Sequence, residues 1–229
     1  MELIRVDNLT KKFDELTAVD NISFTIEEGE IFGFLGPNGA GKTTTLSILS
    51  TLLSQTSGEA YVNGYNIRTH QNEVRRSIGV VFQDPTLDEE LTARENMHIH
   101  GKLYGMKKPA DKIDELLELV ELKKWKNKLV KTFSGGMKQR LEIARGLLHE
   151  PRILFLDEPT LGLDPQTRNH LWDYIQKMNH EKKVTIILTT HYMDEADKLS
   201  DRVAIIDHGK IVALDSPKNL KAHAGGSVI

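Results

Sequence analysis

The sequence predicts an α/β fold in which a mostly parallel β-sheet is covered by helices on both faces. Short apolar runs rich in Val, Ile, Phe and Thr alternate with segments in which apolar residues recur at helical spacing. The run at 153–156 is continuously apolar, as a strand buried on both faces is. Strands that alternate with helices favour a parallel sheet.

The elements follow in chain order. Strands are expected at 3–13 and within 21–36, and the second apolar run ends at Gly36, directly before a helical segment at 43–53. The Asn63-Gly64 pair is a strong hairpin signal. Further strands are expected at 77–84, 152–159, 184–191 and 202–214, with helical stretches between them.

A helical block interrupts this pattern. Within residues 91–150, Ile113, Leu116, Leu117 and Val120 recur at helical spacing with Glu and Lys between them. We therefore expect a single domain, with a core of 1–90 and 151–229 into which 91–150 is inserted as a helical subdomain. There is no internal repeat or low-complexity segment, and 222–229 is expected to be a frayed tail.

Composition limits the possible functions. The chain has 229 residues, no cysteine and a formal net charge of −3, so disulfides and Cys-based metal sites are excluded and a nucleic-acid partner is not indicated. The N-terminal residues lack the apolar core of a signal peptide, and no apolar run approaches the roughly 20 residues that span a bilayer. If the protein works on a membrane, another chain must cross it.

Residues 36–44, GPNGAGKTT, have the spacing of a phosphate-binding loop between a strand and a helix. Glycines let the backbone N–H groups point at phosphate oxygens, while a lysine reaches the β- and γ-phosphates and a hydroxyl coordinates Mg²⁺. A Gly-rich turn before a helix is the simpler alternative. The predicted nucleotide-binding residues are Gly36, Pro37, Asn38, Gly39, Ala40, Gly41, Lys42, Thr43 and Thr44.

Two acidic residues follow the buried strand at 153–156. Asp157 is placed to hold Mg²⁺ beside the phosphate loop, and Glu158 is the better candidate for polarising an attacking water. By itself, such a pair could equally be a surface feature at a strand end.

A second anion site is indicated by KTFSGGMKQR, where Ser134, Gly135, Gly136 and Met137 stand at the start of a helical run. Helix N-termini carry free N–H groups and a partial positive charge. The chain thus has one more phosphate site than a single nucleotide needs.

The order of these motifs resembles the ATP-binding subunit of ABC transporters along essentially the whole chain. The resemblance implies a P-loop NTPase of ABC type, with a mostly parallel sheet, an N-terminal antiparallel β subdomain and an inserted helical subdomain. It implies ATP and Mg²⁺ as ligands, with 36–44 as Walker A and 152–160 as Walker B. It also implies that Ser134 to Met137 bind the ATP held by a second copy, in an ATP-bound homodimer.

The resemblance assigns four further positions, each with a simpler alternative. Gln83 would reach Mg²⁺ and sense the membrane partner, but alone it would be a solvated amide. His191 would contact the γ-phosphate, with surface or packing histidine as the alternative. Phe13 would stack on adenine or pack in the core. Asp164 would act at the dimer interface, cap the following helix, or do both.

Residues 80–97 and 134–165 are similar to the daunorubicin-resistance type of exporter ATPase, whose partner is a separate ABC-2-type permease. Phe133 and Met137 replace the Leu and Gln of the common signature. The resemblance implies a cytoplasmic subunit on the inner face of the cell membrane and a C-terminal regulatory region missing from this chain. The transported substrate cannot be named from the sequence.

Three other functions fit the sequence less well. A non-transport ABC ATPase acting on ribosomes or DNA would contain two modules or a coiled-coil insertion, and neither is present. A GTPase-type switch is disfavoured because this chain lacks the motif that recognises guanine. A catalytically inactive binding module is disfavoured because every expected catalytic position is filled. The lysines from Lys123 to Lys131 could indicate a membrane or nucleic-acid surface, but the glutamates just upstream favour a solvated helix face.

Overall fold

The computed structural model describes residues 1–83 and 86–224. Within these residues the strands are, in chain order, β1 (Glu2–Phe13), β2 (Leu16–Glu27), β3 (Ile31–Leu35), β4 (Ser57–Val62), β5 (Tyr65–Asn66), β6 (Ile78–Val81), β7 (Ile153–Asp157), β8 (Thr185–Thr190), β9 (Arg202–Asp207) and β10 (Lys210–Asp215). The helices are α1 (Lys42–Leu49), α2 (Gln71–Ser77), α3 (Ala93–Leu103), α4 (Ala110–Leu119), α5 (Gly135–Gly146), α6 (Pro165–Lys182), α7 (Met193–Leu199) and α8 (Pro217–Ala224).

The larger sheet has six strands in the order β10-β9-β3-β8-β7-β6. Its inner pairs are all parallel, and only β10 joins antiparallel at the edge. The predicted mostly parallel sheet is therefore confirmed. β3, β7 and β8 lie side by side at its centre, so the segments that follow their carboxyl ends meet at one edge.

The smaller sheet is antiparallel, in the order β2-β1-β4-β5. β1 matches the strand expected at 3–13 to within one residue, whereas β2 begins at Leu16, before the expected start at residue 21. The two strands form one extended hairpin whose last pair is Phe13 with Leu16. The Asn63-Gly64 turn is confirmed, since it joins Val62 to Tyr65 with both turn residues at positive φ.

Two apolar cores lie on opposite faces of the six-stranded sheet, because successive strand residues point to opposite sides. Leu154 and Leu156 belong to the helix-side core, which includes residues of α3 to α7. Ile153 and Phe155 belong to the β-side core, which lies against α1, α2 and the antiparallel sheet. The helical block therefore completes a core that it shares with the sheet.

The helical block begins with a capping box. Thr92 and Glu95 satisfy each other's backbone N–H groups at the start of α3. The lysine-rich segment lies on two 3-10 turns, Lys123–Trp125 and Val130–Thr132, and not on an α-helical face as expected. Its lysines pair with nearby carboxylates, including Lys123 with Glu118 at 3.0 Å.

Surface ion pairs also join the helical block to the rest of the molecule. Glu115 on α4 pairs with Lys182 at the end of α6, and within the block Lys112 pairs with Glu150 at 2.7 Å. Part of the expected C-terminal tail, 222–224, is the end of α8, and 225–229 lie outside the described residues. No helix in the described part of the chain is both long and apolar enough to cross a membrane.

Candidate active site

The phosphate loop connects β3 to α1 and is shaped by glycine. A Cβ at Gly36 would lie 2.2 Å from the carbonyl oxygen of Ile206, and Gly41 has a φ of 105°. Both positions exclude a side chain, one by close approach and the other by backbone conformation. The loop therefore turns tightly enough to present consecutive N–H groups at the start of α1.

Lys42 extends from the first turn of α1 back under this loop. Its ammonium donates to the carbonyl oxygens of Gly36 and Pro37, at 2.8 and 3.0 Å, and lies 3.3 Å from Oε1 of Glu158. The side chain is 4% exposed. A buried cation is thus held inside the loop by oxygen atoms, where phosphate oxygens would be equally suitable partners.

Asp157, the last residue of β7, gathers hydroxyl groups from two other elements. Its Oδ1 accepts hydrogen bonds from Thr43 at 3.0 Å and from Thr189 at 2.5 Å. A carboxylate and a threonine hydroxyl form the hard-oxygen donor set that Mg²⁺ prefers. Thr43 and Asp157 therefore fit the predicted metal.

Glu158 follows with a φ of 48°, which is uncommon for a residue with a side chain. Its N–H donates to the Thr189 hydroxyl at 2.9 Å. The carboxylate lies between Lys42 and His191, whose Nδ1 is 2.8 Å from Oε2. The backbone turn thus directs this carboxylate back over the phosphate loop.

The second predicted phosphate site lies where α5 and α6 begin. Ser134 caps α5, accepting from the Met137 N–H at 3.3 Å, and Asp164 caps α6, accepting from the Thr167 N–H at 3.0 Å. A Cβ at Gly136 would lie 2.2 Å from Cγ2 of Thr167, so the two helix starts are in contact. Two positive dipole ends therefore border one cleft of about 210 Å³.

Comparison with known proteins identifies the family. The family model described as "ABC transporter" matches residues 19–161, more than half of the chain. This chain belongs to the ABC transporter family. It is an ATP-binding cassette, and this family hydrolyses ATP.

Curated relatives match almost the whole chain. The linearmycin resistance ATP-binding protein LnrL of Bacillus subtilis is 42% identical over 99% of this chain and 73% of the relative. The daunorubicin/doxorubicin resistance ATP-binding protein DrrA of Streptomyces peucetius is 41% identical, over 99% of this chain and 69% of the relative.

Solved structures agree with the fold. cbiO1 from Clostridium perfringens, part of an ABC transporter complex, is 30% identical and superimposes with a TM-score of 0.88, over 97% of this chain and 92% of that one. A dimeric, post-hydrolysis ATP-binding cassette bound to ADP and Pi is 31% identical with a TM-score of 0.81, over 93% and 98%. The predicted P-loop, ABC-type fold is confirmed.

In this ATPase, Lys42, Thr43, Asp157, Glu158 and His191 form one connected cluster. Phe13 lies outside both cores at the end of the β1–β2 hairpin, where its ring is 43% exposed and Lys11 lies 4.7 Å from the ring centre. Core packing is therefore not its role. Stacking on adenine stays a prediction, as do the other site roles.

Gln83 is exposed just beyond the end of β6, and none of the hydrogen bonds among the described residues joins it to Thr43 or Asp157. Its proposed contact with Mg²⁺ also stays a prediction. Asp164 caps α6, with Oδ1 accepting from the Thr167 N–H and Oδ2 from the Thr167 hydroxyl, and its interface role stays a prediction.

Sequence reasoning missed two threonines that organise this ATPase site. Thr189 ties β8 to Asp157 at the end of β7 and to Glu158 directly after it, and Thr167 links the Asp164 cap to Gly136. The available signal for Thr189 was a polar residue inside a buried strand, since such a group needs a partner. Thr167 had no comparable signal, because its importance depends on how two distant helix starts meet.

Proposed function

We propose that this chain is the ATP-hydrolysing subunit of a drug exporter, and that it works with a separate ABC-2-type permease. The curated relatives named for linearmycin and for daunorubicin/doxorubicin resistance support this substrate class. The proposal includes a location on the inner face of the cell membrane through that permease. It also includes the division into a core, 1–90 and 151–229, and a helical subdomain, 91–150.

One observation carries the hydrolytic part of the proposal: the Glu158 carboxylate is held between Lys42 and His191 beside the Asp157–Thr43 pair. Lys42 would exchange its loop carbonyls for phosphate oxygens. Glu158 would orient water toward the terminal phosphate, and His191 would contact that phosphate from the opposite side. Mg²⁺, held by Thr43 and Asp157 with Gln83 as a further ligand, would neutralise developing charge on the phosphates.

The second site supplies the proposed coupling between two copies. Ser134 to Met137 lie at a helix start in the same chain, but their described hydrogen bonds stay within α5. We therefore assign them to the ATP of a partner copy in an ATP-bound homodimer, with Asp164 at the interface. A dimeric cassette structure, 28% identical to this chain, offers a precedent for such an assembly.

The test of hydrolysis compares Glu158→Gln with Glu181→Gln, which changes an exposed glutamate on α6. Glu158→Gln is expected to reduce ATP turnover by a factor of about 1,000, as the loss of a water-orienting carboxylate does, with ATP affinity nearly unchanged. Glu181→Gln should match wild type in turnover and in nucleotide binding by calorimetry. Wild-type turnover in Glu158→Gln would disprove the assignment.

The test of export uses gene deletion in the source organism. Deletion is expected to increase sensitivity to daunorubicin-like compounds, and the wild-type chain should restore resistance whereas Glu158→Gln should not. Unchanged sensitivity on deletion would reject the substrate class. Salt-sensitive binding of the purified chain to ribosomes or DNA would instead revive the non-transport alternative, which no observation favours at present.

A further inference from the structure

Glu195 on α7 is a buried acidic residue that the proposed chemistry does not use. Its side chain is 0% exposed, and Oε1 accepts a hydrogen bond from Nε1 of Trp172 at 2.9 Å. Oε2 lacks a hydrogen bond of standard geometry among the described residues, and so does the buried hydroxyl of Thr160. An ionised carboxylate with an unpaired oxygen is costly inside a protein, whereas a neutral acid is tolerated there.

The position of Glu195 connects the two segments that carry the catalytic residues. The hydroxyls of Thr160 and Thr190 both lie beside its carboxyl. Thr160 follows Glu158 by two residues, and Thr190 directly precedes His191. One side chain therefore lies beside both the segment after β7 and the end of β8, close to the points where Glu158 and His191 emerge.

Helix α6 also contacts Glu195 and the residue that follows His191. Trp172 bonds to Glu195, and Arg168, one turn earlier, lies 4.1 Å from the ring centre of Tyr192. The Tyr192 ring in turn lies 4.1 Å from the His191 ring. The orientation of His191 thus depends on contacts that converge on α6 and Glu195.

We propose that Glu195, as a neutral carboxylic acid, is a positioning residue that keeps the His191 and Thr160 segments in the arrangement that sets His191 against Glu158. A protonated carboxyl can accept from Trp172 through Oε1 and donate through Oε2, so it can satisfy the otherwise unpaired Thr160 hydroxyl. This inference rests on the proposed roles of Glu158 and His191 in hydrolysis.

The groups around Glu195 determine whether stability rises or falls with pH. Burial raises the pKa of Glu195, and this effect outweighs the hydroxyls of Thr190 and Thr160, the Trp172 N–H and the positive charge of Arg168, all of which lower it. The remaining charged neighbour, Asp194, is exposed and lies 3.8 Å from Arg168. Because the native pKa is raised, the native state holds a proton that the unfolded chain releases above about pH 4.3, so stability falls as pH rises through the native pKa.

The test uses Trp125→Phe as background, which leaves Trp172 as the single tryptophan. In this background we compare the protein that retains Glu195 with the variants Glu195→Gln and Glu195→Ala. Asp197→Asn, on the exposed face of α7, is the control. Glu195→Gln is expected to keep kcat at pH 7 within about twofold. Glu195→Ala should lose about tenfold in kcat per folded, ATP-binding molecule, with little change in KM, as the loss of a supporting residue does.

Two spectroscopic results complete the expectation. Trp172 emission and the melting temperature should vary with pH in the Glu195 protein and in Asp197→Asn. Both responses should be reduced in Glu195→Gln, because its amide does not titrate. These measurements need no hydrolysis, so they stay informative even if Glu158→Gln shows that the catalytic assignment is wrong.

Three outcomes would overturn the proposal. Wild-type kcat in a folded Glu195→Ala protein would remove the positioning role. Glu195→Gln as inactive as Glu195→Ala would mean that the ionised form is required. An unchanged pH response of Trp172 in Glu195→Gln would show that Glu195 does not titrate beside it.

Discussion

At the residue scale, the Thr189 hydroxyl fixes the positions of Asp157 and Glu158 relative to each other. It donates to Asp157 and accepts from the Glu158 N–H, and it is itself fully buried. A residue of this kind fixes positions without touching the substrate. Its removal should therefore affect turnover more than nucleotide affinity.

We expect Thr189→Val to lower kcat by about 10- to 100-fold, because the isosteric methyl group leaves Asp157 and the Glu158 N–H without this partner. The cost in stability should be about 1–3 kcal/mol. Thr185→Val is the matched control, since Thr185 is buried at the other end of β8 and accepts from Gly29 at 2.8 Å. It should lose stability and keep its kcat, as measured by steady-state ATPase assays and thermal melts. Equal kcat values for the two variants would contradict the assignment.

Phe13 offers a second test at this scale. If its exposed ring stacks on adenine, Phe13→Ala should raise KM for ATP by about tenfold with kcat nearly unchanged, because base–aromatic stacking contributes about 1–3 kcal/mol. Phe13→Tyr retains the ring and should behave like wild type. Titration with ATP at constant Mg²⁺ measures both values, and an unchanged KM in the alanine variant would reject stacking.

The residues predicted from sequence are those whose motif is contiguous along the chain. For example, a strand leads directly into both Gly36 to Thr44 and Asp157-Glu158, so the adjacent sequence is enough to recognise each motif. Thr189 and Glu195 could not be assigned in this way. Their importance arises from contacts across 31 and 23 positions of the chain, with Glu158 and Trp172 respectively.

At the element scale, the contact between the starts of α5 and α6 depends on a missing side chain. We expect Gly136→Ala to lower stability by about 1–3 kcal/mol, because its Cβ would overlap Cγ2 of Thr167. Gly135→Ala is the control, since its Cβ would lie 3.6 Å from the nearest atom, in Leu163.

Rescue distinguishes this clash from a general effect at the helix start. Thr167→Ser removes Cγ2 and keeps the hydroxyl that bonds to Asp164, so it should restore much of the stability lost in Gly136→Ala. Thermal melts of the single and double variants measure the coupling. If the two losses simply add, the overlap is not the cause.

A ring cluster between α3 and the end of α5 predicts a response to acid. The rings of Tyr104 and His149 stack 3.8 Å apart, with His100 5.0 Å from Tyr104. Burial, with smaller contributions from Arg145 and His149, lowers the pKa of His100 to about 4. The unfolded chain therefore takes up a proton below about pH 6.5 that native His100 does not, so stability falls as pH falls.

Between pH 7 and pH 5, we expect the melting temperature of His100→Gln to fall by a few degrees less than that of wild type. The exposed His180 supplies the control, and His180→Gln should follow the wild-type curve. Melting curves recorded at several pH values in one buffer series test this, and parallel curves for wild type and His100→Gln would rule it out.

Elements were predictable where periodicity was strong. The central strands and the helical block follow the pattern of apolar residues. β2 begins earlier than expected, because its pairing with β1 extends it back to Leu16, before the apolar run. The lysine-rich segment was assigned to a helix face from charge alone. Charge does not determine backbone conformation, and local pairing with carboxylates is satisfied equally well on 3-10 turns.

At the scale of the whole molecule, the second phosphate site predicts assembly. Ser134→Arg should keep ATP affinity within about twofold, because Ser134 bonds only at the start of α5. In the Glu158→Gln background it should prevent the ATP-dependent dimer, since a large cation would occupy the proposed contact with the partner copy. Size-exclusion chromatography with light scattering measures this. Asn127→Arg adds the same charge at another exposed position and should still dimerise.

The proposed dimer was predicted because the second phosphate site gains a role through the resemblance to ABC ATPases, and a dimer formed by Ser134→Arg would refute that reasoning. The proposed permease and its cargo could not be predicted from the residues themselves, since their contacts would belong to another chain. The fold, by contrast, follows from one chain because its apolar residues must all be buried together.

The helix-side core has a consequence for protein engineering. Residues of α3, α4 and α5 pack with Leu154, Leu156, Ile186 and Leu188 in one continuous interior. In a chimera that takes residues 91–150 from a related cassette, the apolar side chains of the inserted helices would therefore pack against strand residues that they do not fit. Such grafts should succeed only when the facing positions of β7 and β8 are exchanged with them, and the graft boundary is set by the packing rather than by the ends of the inserted segment.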